Sequence, residues 1–241
     1  LEVGQGVWVP KPNANAYVNA ALSPSIRFTR EECLDIPPDF TIDVPGGMTK
    51  DQQAAYDDMK NQLYVQYEKG EIIAVNAGVK MQKLLQISAG VVLDSNGQEV
   101  YFDAKEKMDV ILETFEELGK TKLIVAAAYV GVVNRLAKQL QDKKIRTDVI
   151  YGNVPFKRRT EILNQFQFGD LQILVVQPQA VAHSVTLTAS NTIIWHSYVA
   201  SGEYYVQMNG RITRAGQTKK QYIKHLINSK VEDRMVNRIL K

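Results

Sequence analysis

The chain has 241 residues, of which 45% are hydrophobic and 23% are charged, as is ordinary for a globular protein of one large or two small domains. The formal net charge is only +3, which excludes a protein that wraps nucleic acid through overall basicity, so any polyanion site must be a local cluster. The single cysteine permits no internal disulfide and predicts a reducing, cytoplasmic setting.

The sequence contains no apolar run long enough to span a bilayer and no signal peptide. It begins with Leu rather than Met, which suggests a piece of a longer protein, or a cloning remnant at Leu1-Glu2. Residues 1–48 are rich in proline and predict an irregular connector that packs along a larger body. Their strand-like pieces are short, at 25–29 and 40–44.

Residues 49–103 predict a helical segment followed by a hairpin. A helix over 49–69 is indicated by apolar residues every four positions, with Thr49 as its N-cap. A second helix is predicted over 75–88. Asn96-Gly97 then predicts a two-residue turn between strands at 91–93 and 100–102.

Residues 104–241 alternate between helical patterns and short apolar runs, which predicts a doubly wound parallel sheet flanked by helices. The run at 123–128 is apolar without interruption, as expected of a parallel strand that is buried on both faces. Four further strands are predicted, at 147–151, 171–176, 192–195 and 222–227.

The stretch from Gln207 to Gln217 reads QMNGRITRAGQ. On a helix, Arg211 and Arg214 would project from one face, with Gln207 one turn earlier and Gly216 at the C-terminal end. Paired guanidinium groups can neutralise the transferring phosphate of a nucleotide. The alternative is a solvated basic face followed by a helix cap.

A phosphate cradle is not evident. Gly119-Lys120-Thr121 lacks the first glycine of a phosphate-binding loop and stands before a strand, so it predicts a helix end. No acidic pair follows an apolar strand to hold magnesium, and the histidines and Cys33 lack metal-ligand spacing, so no metal site is predicted.

Three blocks together resemble the C-terminal RecA-like lobe of Snf-type superfamily 2 DNA helicases and translocases. They read KLIVAAAYVGVVNRLAKQL, then VIYGNVPFKRRTEILNQFQFGDLQILVVQPQAVAHSVTLTASNTIIW, then QMNGRITRAGQ. The chain departs from the family at Gln177-Pro178 and Ser184, where a Ser-Thr pair and a glycine are usual, and in this it is similar to helicases encoded by bacteriophages. The resemblance implies ATP and Mg²⁺ in the full-length enzyme, held mainly by a missing first lobe. It implies no cofactor and no ATP hydrolysis for this chain alone.

The resemblance also implies roles for particular residues. Arg211 and Arg214 would be catalytic arginines that bind ATP across the cleft, with Gln207 holding the motif there. DNA-backbone contacts are implied for Gly152, Asn153, Thr186 and Thr188, and the basic cluster adds Lys157 and Arg158. For these six the plain alternatives are a turn, strand residues and a solvated face. Arg159 matches an arginine with a structural role.

The expected partners are DNA and the first RecA-like lobe of the same protein, with no membrane, a monomeric state and a phage gene in a bacterial host. Two rival functions remain open. One is a non-catalytic module of the same fold that binds nucleic acid or protein. The other is an unrelated doubly wound small-molecule enzyme, which would need its own phosphate loop or catalytic set.

Overall fold

A computed structural model describes residues 2–4, 7–26, 37–67, 70–181 and 185–240. The chain divides into two units, Leu1–Asp35 and Ile36–Lys241. The boundaries predicted at 48/49 and 103/104 stay predictions. Within the described part, none of the helices has the length and apolarity that crossing a bilayer requires.

The described residues of the first unit form a short antiparallel pair and one helix. Strand β1 (Glu2–Gly4) pairs with β2 (Val7–Trp8), and α1 (Ala14–Leu22) follows. Helix α1 buries none of its side chains. The strand-like piece predicted at 25–29 lies mostly outside the described residues, as does Cys33.

The second unit begins with a strand and a helical layer. The elements, in chain order, are β3 (Asp39–Pro45), α2 (Lys50–Gln62), β4 (Tyr64–Tyr67), β5 (Gly70–Ile73), α3 (Ala77–Ser88), β6 (Val91–Leu93) and β7 (Glu99–Tyr101). The piece predicted at 40–44 is therefore a strand, and it joins the main sheet as its edge rather than running along the surface.

One helix end predicted in this layer is wrong, and the predicted N-cap residue is confirmed. The helix predicted to residue 69 ends at Gln62, because Leu63 adopts φ +61° and β4 pairs antiparallel with β5, burying Val65 against the layer's core. Thr49 is the N-cap residue, but its hydroxyl donates to the carbonyl of Asp103 at 3.0 Å rather than capping the helix.

The hairpin is present, but its turn is not the predicted two-residue type. Residues 94–98 connect β6 to β7. The Asp94 carboxylate accepts the main-chain N–H groups of Asn96 and Gln98 at 2.8 and 2.7 Å. An Asx-type side-chain bond therefore organises the longer turn, while Gly97 supplies the positive φ of +77°.

The remaining elements alternate between strand and helix. They are α4 (Lys105–Leu118), β8 (Lys122–Ala126), α5 (Val130–Asp142), β9 (Thr147–Ile150), α6 (Phe156–Gln167), β10 (Ile173–Val176), α7 (Pro178–Val181), β11 (Ser190–Trp195), α8 (Gly202–Asn209), β12 (Gln221–Ile227) and α9 (Lys230–Leu240).

Six parallel strands form one sheet in the order β3-β12-β11-β8-β10-β9. Residues of β8 alternate between two apolar cores, with Ile124 in one and Val125 in the other. The first core includes residues of α6, α8 and α9, and the second includes residues of α4 and α5. The predicted doubly wound parallel sheet flanked by helices is confirmed.

A buried ion pair joins helices α4 and α9. Lys107 Nζ lies 3.0 Å from Glu232 Oε1, with side-chain exposures of 0% and 1%. Lys107 also donates to the carbonyl of His196 at 2.8 Å, and Glu232 accepts the N–H of Asn228 at 2.7 Å. Burial lowers the pKa of Lys107, and Glu232 opposes that shift. The pair thus connects two helices with the ends of β11 and β12.

We expect loss of either charge to be far more damaging than loss of both. Lys107→Met or Glu232→Leu should each lower the free energy of unfolding by about 3–5 kcal/mol, because an uncompensated charge stays buried. The double variant should lose clearly less than the sum of the two. Urea titrations of the four proteins measure this coupling, and strict additivity would contradict it.

Two buried histidines give the fold a pH dependence. The Nδ1 of His225 lies 2.8 Å from Asp43 Oδ1, and its Nε2 lies 2.9 Å from the Tyr205 hydroxyl. Burial lowers the pKa of His225, although Asp43 opposes this. Burial, and then the charges of Lys107 and Arg135, hold the pKa of His196 well below its usual value. Both rings are therefore neutral in the folded protein at neutral pH.

Stability should fall as the pH drops below about 6.5, because the unfolded chain then binds protons that the folded chain does not. Above that pH neither histidine contributes a slope. Below it each histidine should add a slope of at most roughly 1.4 kcal/mol per pH unit. Urea midpoints between about pH 5.5 and 7.5 measure it. His225→Gln should reduce the slope, and an unchanged slope in that variant would assign the effect elsewhere.

Candidate nucleotide and nucleic-acid site

The two motif arginines lie in a turn after helix α8. Helix α8 ends at Asn209, Gly210 is its C-cap, and residues 210–216, here named the arginine turn, are non-helical. The prediction that Arg211 and Arg214 project from one helix face is therefore wrong. Gly216 has φ +93° within the turn and is not a helix cap.

Local hydrogen bonds explain why the helix stops early. The N–H groups of Arg211 and Ile212 bond to carbonyls three residues back, at 3.0 and 3.2 Å. The Thr213 hydroxyl donates to the carbonyl of Asn209 at 3.2 Å, which is the carbonyl that a continuing helix would offer to the N–H of Thr213. Ile212 is fully buried, so the tightened turn also inserts an apolar anchor into the core.

The arginine turn is fixed against the segment before β11 by a glutamine that sequence reasoning gave no role. Gln217 is 5% exposed, and its Nε2 donates to the carbonyls of Ser190 at 2.9 Å and Ile212 at 3.2 Å. The N–H of Leu187 donates to the carbonyl of Arg211 at 2.9 Å. The only signal for Gln217 was its place as the last residue of the motif.

The two arginines differ in exposure. Arg211 is 6% exposed and its Nη1 donates to the carbonyl of Val185 at 3.4 Å. Arg214 is half-buried, and its Nη1 donates to the Thr186 hydroxyl at 3.2 Å. Burial first, and then the positive charge of Arg214, lowers the pKa of Arg211. The turn therefore concentrates positive charge where a bound anion would relieve repulsion.

Gln207 lies in the last turn of α8. Its side-chain N–H donates to Glu203 Oε1 at 2.8 Å. Its Oε1 is buried and accepts no hydrogen bond from the described residues. The structure thus places the predicted third member of the nucleotide site one turn before the arginines, with one polar atom available to a further donor.

The six residues predicted to contact DNA are not brought together. Thr186 and Thr188 lie beside the arginine turn, and the Thr188 hydroxyl accepts from Gln167 at 3.1 Å, at the C-terminal end of α6. Gly152-Asn153 follows the carboxyl end of β9, and Lys157 is in the first turn of α6. Helix α6 rises about 15 Å between Lys157 and Gln167, so Thr188, which bonds to Gln167, lies well away from the residues at the start of that helix.

Arg159 braces the loop at the carboxyl edge, here named the β9–α6 loop (residues 151–155). Its guanidinium donates to four main-chain carbonyls, those of Val154 at 2.8 Å, Gly152 at 2.7 Å, Tyr151 at 3.1 Å and Ala180 at 3.2 Å. The structural role expected of Arg159 is confirmed. These hydrogen bonds therefore hold the main chain of the loop in place.

The neighbouring basic residues differ in their surroundings. Arg158 forms ion pairs with Asp148 and, at 3.4 Å, with Glu161, so its charge is largely compensated. Lys157 is exposed and makes no hydrogen bond or ion pair to the part of the chain that the structure describes. Lys157 is therefore the better placed of the two to meet an outside anion.

The Gly119-Lys120-Thr121 triplet ends a helix, as predicted. Gly119 is the C-cap of α4 with φ +58°, and β8 begins at Lys122. A phosphate-binding loop has the reverse order, from strand to loop to helix N-terminus. Within the described ranges, no cluster of His, Cys, Asp or Glu side chains could hold a metal ion.

We expect Gln217→Ala to loosen the arginine turn. The substitution leaves buried carbonyls without a donor, which should lower the free energy of unfolding by about 1–3 kcal/mol. Gln53→Ala is the matched control, because Gln53 is exposed and bonds only to Asp57 within its own helix; it should change stability by less than about 0.5 kcal/mol. Equal effects in urea titrations would remove Gln217 from this role.

Comparisons with known proteins agree with this architecture. The family profile described as helicase conserved C-terminal domain matches residues 106–216. The ATP-dependent RNA helicase RhlB of Xanthomonas axonopodis pv. citri is 30% identical over 121 residues, which are 50% of this chain and 21% of RhlB. Protein p41 of Acyrthosiphon pisum secondary endosymbiont phage 1 is 24% identical over 190 residues, 76% of this chain and 39% of p41. The chain thus spans well under half of either relative.

The likeness to solved structures extends over nearly the whole chain. The Sulfolobus solfataricus SWI2/SNF2 ATPase core in complex with dsDNA has a TM-score of 0.59 and 20% identity, over 94% of this chain and 50% of that one. At this identity the likeness is one of fold. The resemblance drawn from the three sequence blocks, to a RecA-like C-terminal helicase lobe, is confirmed.

Proposed function

We propose that the chain is the second RecA-like lobe of an ATP-dependent, Snf-type DNA helicase or translocase, a role supported by the match of residues 106–216 to the helicase conserved C-terminal domain profile. In this proposal the lobe presents the arginine turn to an ATP that is held, with Mg²⁺, by a first lobe. The observation that carries it is the pair of guanidinium groups of Arg211 and Arg214, fixed in one turn at the edge of the sheet.

The geometry suits phosphate stabilisation. A guanidinium has five N–H donors, and Arg214 uses one of its terminal nitrogens to reach Thr186, so further donors can face an anion. Burial, and then the charge of Arg214, lowers the pKa of Arg211, and a phosphate between the two side chains would offset both effects. A transferring phosphoryl group spreads negative charge over its outer oxygens, and such arginines stabilise that charge.

In this proposal, residues outside this chain hold the ATP and the metal. Gly119-Lys120-Thr121 ends a helix and offers no phosphate cradle, so ATP and the metal need another set of residues. We therefore expect this chain alone to hydrolyse ATP no faster than background. Gln207, with its buried side-chain oxygen, would take a donor from the ATP or from the first lobe.

DNA would lie along the carboxyl edge of the sheet. Gln177 and Arg159 bond to the main chain of Gly152 and so fix the loop. Asn153 and Lys157 are exposed beside it, so their side chains can contact phosphates without reading sequence. Because Thr186 and Thr188 bond to Arg214 and Gln167, we assign them to positioning the arginine turn. DNA rather than RNA, a phage gene, a cytoplasmic location and a monomeric state remain parts of this proposal.

The decisive test measures DNA-stimulated ATP turnover in the protein that carries both lobes. Arg214→Ala should reduce turnover by about 10³-fold or more while leaving DNA binding nearly intact, as loss of an arginine finger does. Arg214→Lys should not restore it, since a point charge does not reproduce the planar guanidinium. Arg211→Ala should also lose turnover, with some loss of stability because Arg211 is buried.

Arg238→Ala provides the matched control, because Arg238 is an exposed arginine on α9. It should leave turnover within a fewfold of the unaltered protein. If Arg214→Ala and Arg211→Ala also kept turnover within a fewfold, the arginine turn would have no catalytic role. The chain would then be better understood as a binding module of the same fold.

A further inference from the structure

Phe156 is the most exposed large apolar side chain of the described residues, at 85%. It is the first residue of α6, immediately after the β9–α6 loop. The buried apolar residues of the same helix, Ile162 and Phe166, are 2% and 0% exposed. Packing of α6 on the sheet therefore makes no use of Phe156.

Exposure alone proves little, because single apolar side chains are common on protein surfaces. What distinguishes Phe156 is how firmly its backbone is held. One turn later in α6, Arg159 bonds to the carbonyls of Tyr151, Gly152 and Val154 and to that of Ala180 in α7. The N–H of Arg159 also bonds to the carbonyl of Pro155 at 2.9 Å. The ring thus extends from a braced surface, and little backbone entropy would be lost when a ligand covers it.

The surroundings of Phe156 indicate the chemistry of that ligand. Lys157 is exposed and makes no ion pair with the described part of the chain, and Gly152 and Asn153 nearby in the loop are exposed as well. A flat apolar ring beside an uncompensated cation matches a nucleotide, with its aromatic base and its phosphate. A base can stack on the ring only where it is unpaired, because duplex bases are already stacked on one another.

We propose that Phe156 is a stacking platform for an unpaired base of a nucleic-acid strand, with Lys157 contacting the adjoining phosphate. This rests on the proposed function and adds to it a preference for single-stranded segments, such as a fork or a strand end. The ring would distinguish an opened strand from a closed duplex as the lobe moves along its substrate.

The test compares Phe156→Ala with Phe168→Ala. Phe168 is 83% exposed at the other end of α6, near Asp170 rather than a free cation, so it matches Phe156 in exposure but not in setting. Binding of a fluorescent oligothymidine and of an unrelated duplex is measured by anisotropy at roughly 50 mM salt, where weak nonspecific binding is strongest. Thermal unfolding verifies that both variants stay folded.

Phe156→Ala should weaken oligothymidine binding about tenfold, as loss of one stacked base does, and should change duplex binding less than twofold. Phe156→Trp should retain binding, and Phe156→Leu should not, since stacking needs a flat π face. Phe168→Ala should change the binding affinity for neither the oligothymidine nor the duplex. Photocrosslinking of an oligonucleotide carrying 5-iodouracil should map to Phe156.

Each contrary result has a separate meaning. If Phe156→Ala binds oligothymidine as well as the unaltered chain does, or if both alanine variants lose binding equally, the stacking proposal is overturned and the proposed function is untouched. If Phe156 instead contacts a partner protein, Phe156→Ala should bind oligothymidine as well as the unaltered chain does. If the unaltered chain binds neither oligothymidine nor duplex at low salt, the nucleic-acid part of the proposed function fails as well.

Discussion

The buried ion pair between Lys107 and Glu232 is the interaction on which the carboxyl edge of the sheet depends. Two charged groups are almost fully removed from water, which is tolerable only because each also makes hydrogen bonds to the main chain. Those extra bonds are made to the residues that directly follow β11 and β12. One electrostatic interaction thereby sets where two strands end and how helices α4 and α9 lie over them.

The same pair accounts for a glycine. A side chain at Gly46, just after β3, would bring a Cβ to 2.1 Å from the Asn228 amide oxygen and 3.0 Å from a carbon of Lys107. Asn228 in turn reaches the carbonyl of Ser88 at 3.1 Å. The end of the edge strand therefore packs closely against Asn228 and Lys107. The segment before residue 49 contributes a strand to the sheet because Asp39–Pro45 pairs in parallel with β12.

The sequence predicted the parts of the fold that local pattern determines. The uninterrupted apolar run at 123–128 is a buried central strand, because such composition fits a parallel strand covered on both faces. The predicted arginine helix ends early because the side chains of Gln217 and Thr213 take carbonyls that a longer helix would use. The helix predicted over 49–69 ends early because residues 64–67 pair with the strand that follows them. In both cases a pattern compatible with a helix was overridden by hydrogen bonds to partners only a few residues away, which the spacing of apolar residues does not reveal.

The prediction of the site residues was limited for a related reason. The pattern identified the motif, but it could not tell which side chains face outward and which hold the turn together. In the structure Gln217 and Arg159 spend most of their donors on main-chain carbonyls of irregular segments. Carbonyls in such segments lack the partners that a helix or strand supplies, so side-chain donors must replace them. Long polar side chains therefore hold both the arginine turn and the β9–α6 loop in place. If the proposed roles hold, a lobe built in this way would move as a unit when ATP draws the arginine turn toward a first lobe, and the β9–α6 loop would carry the bound strand with it.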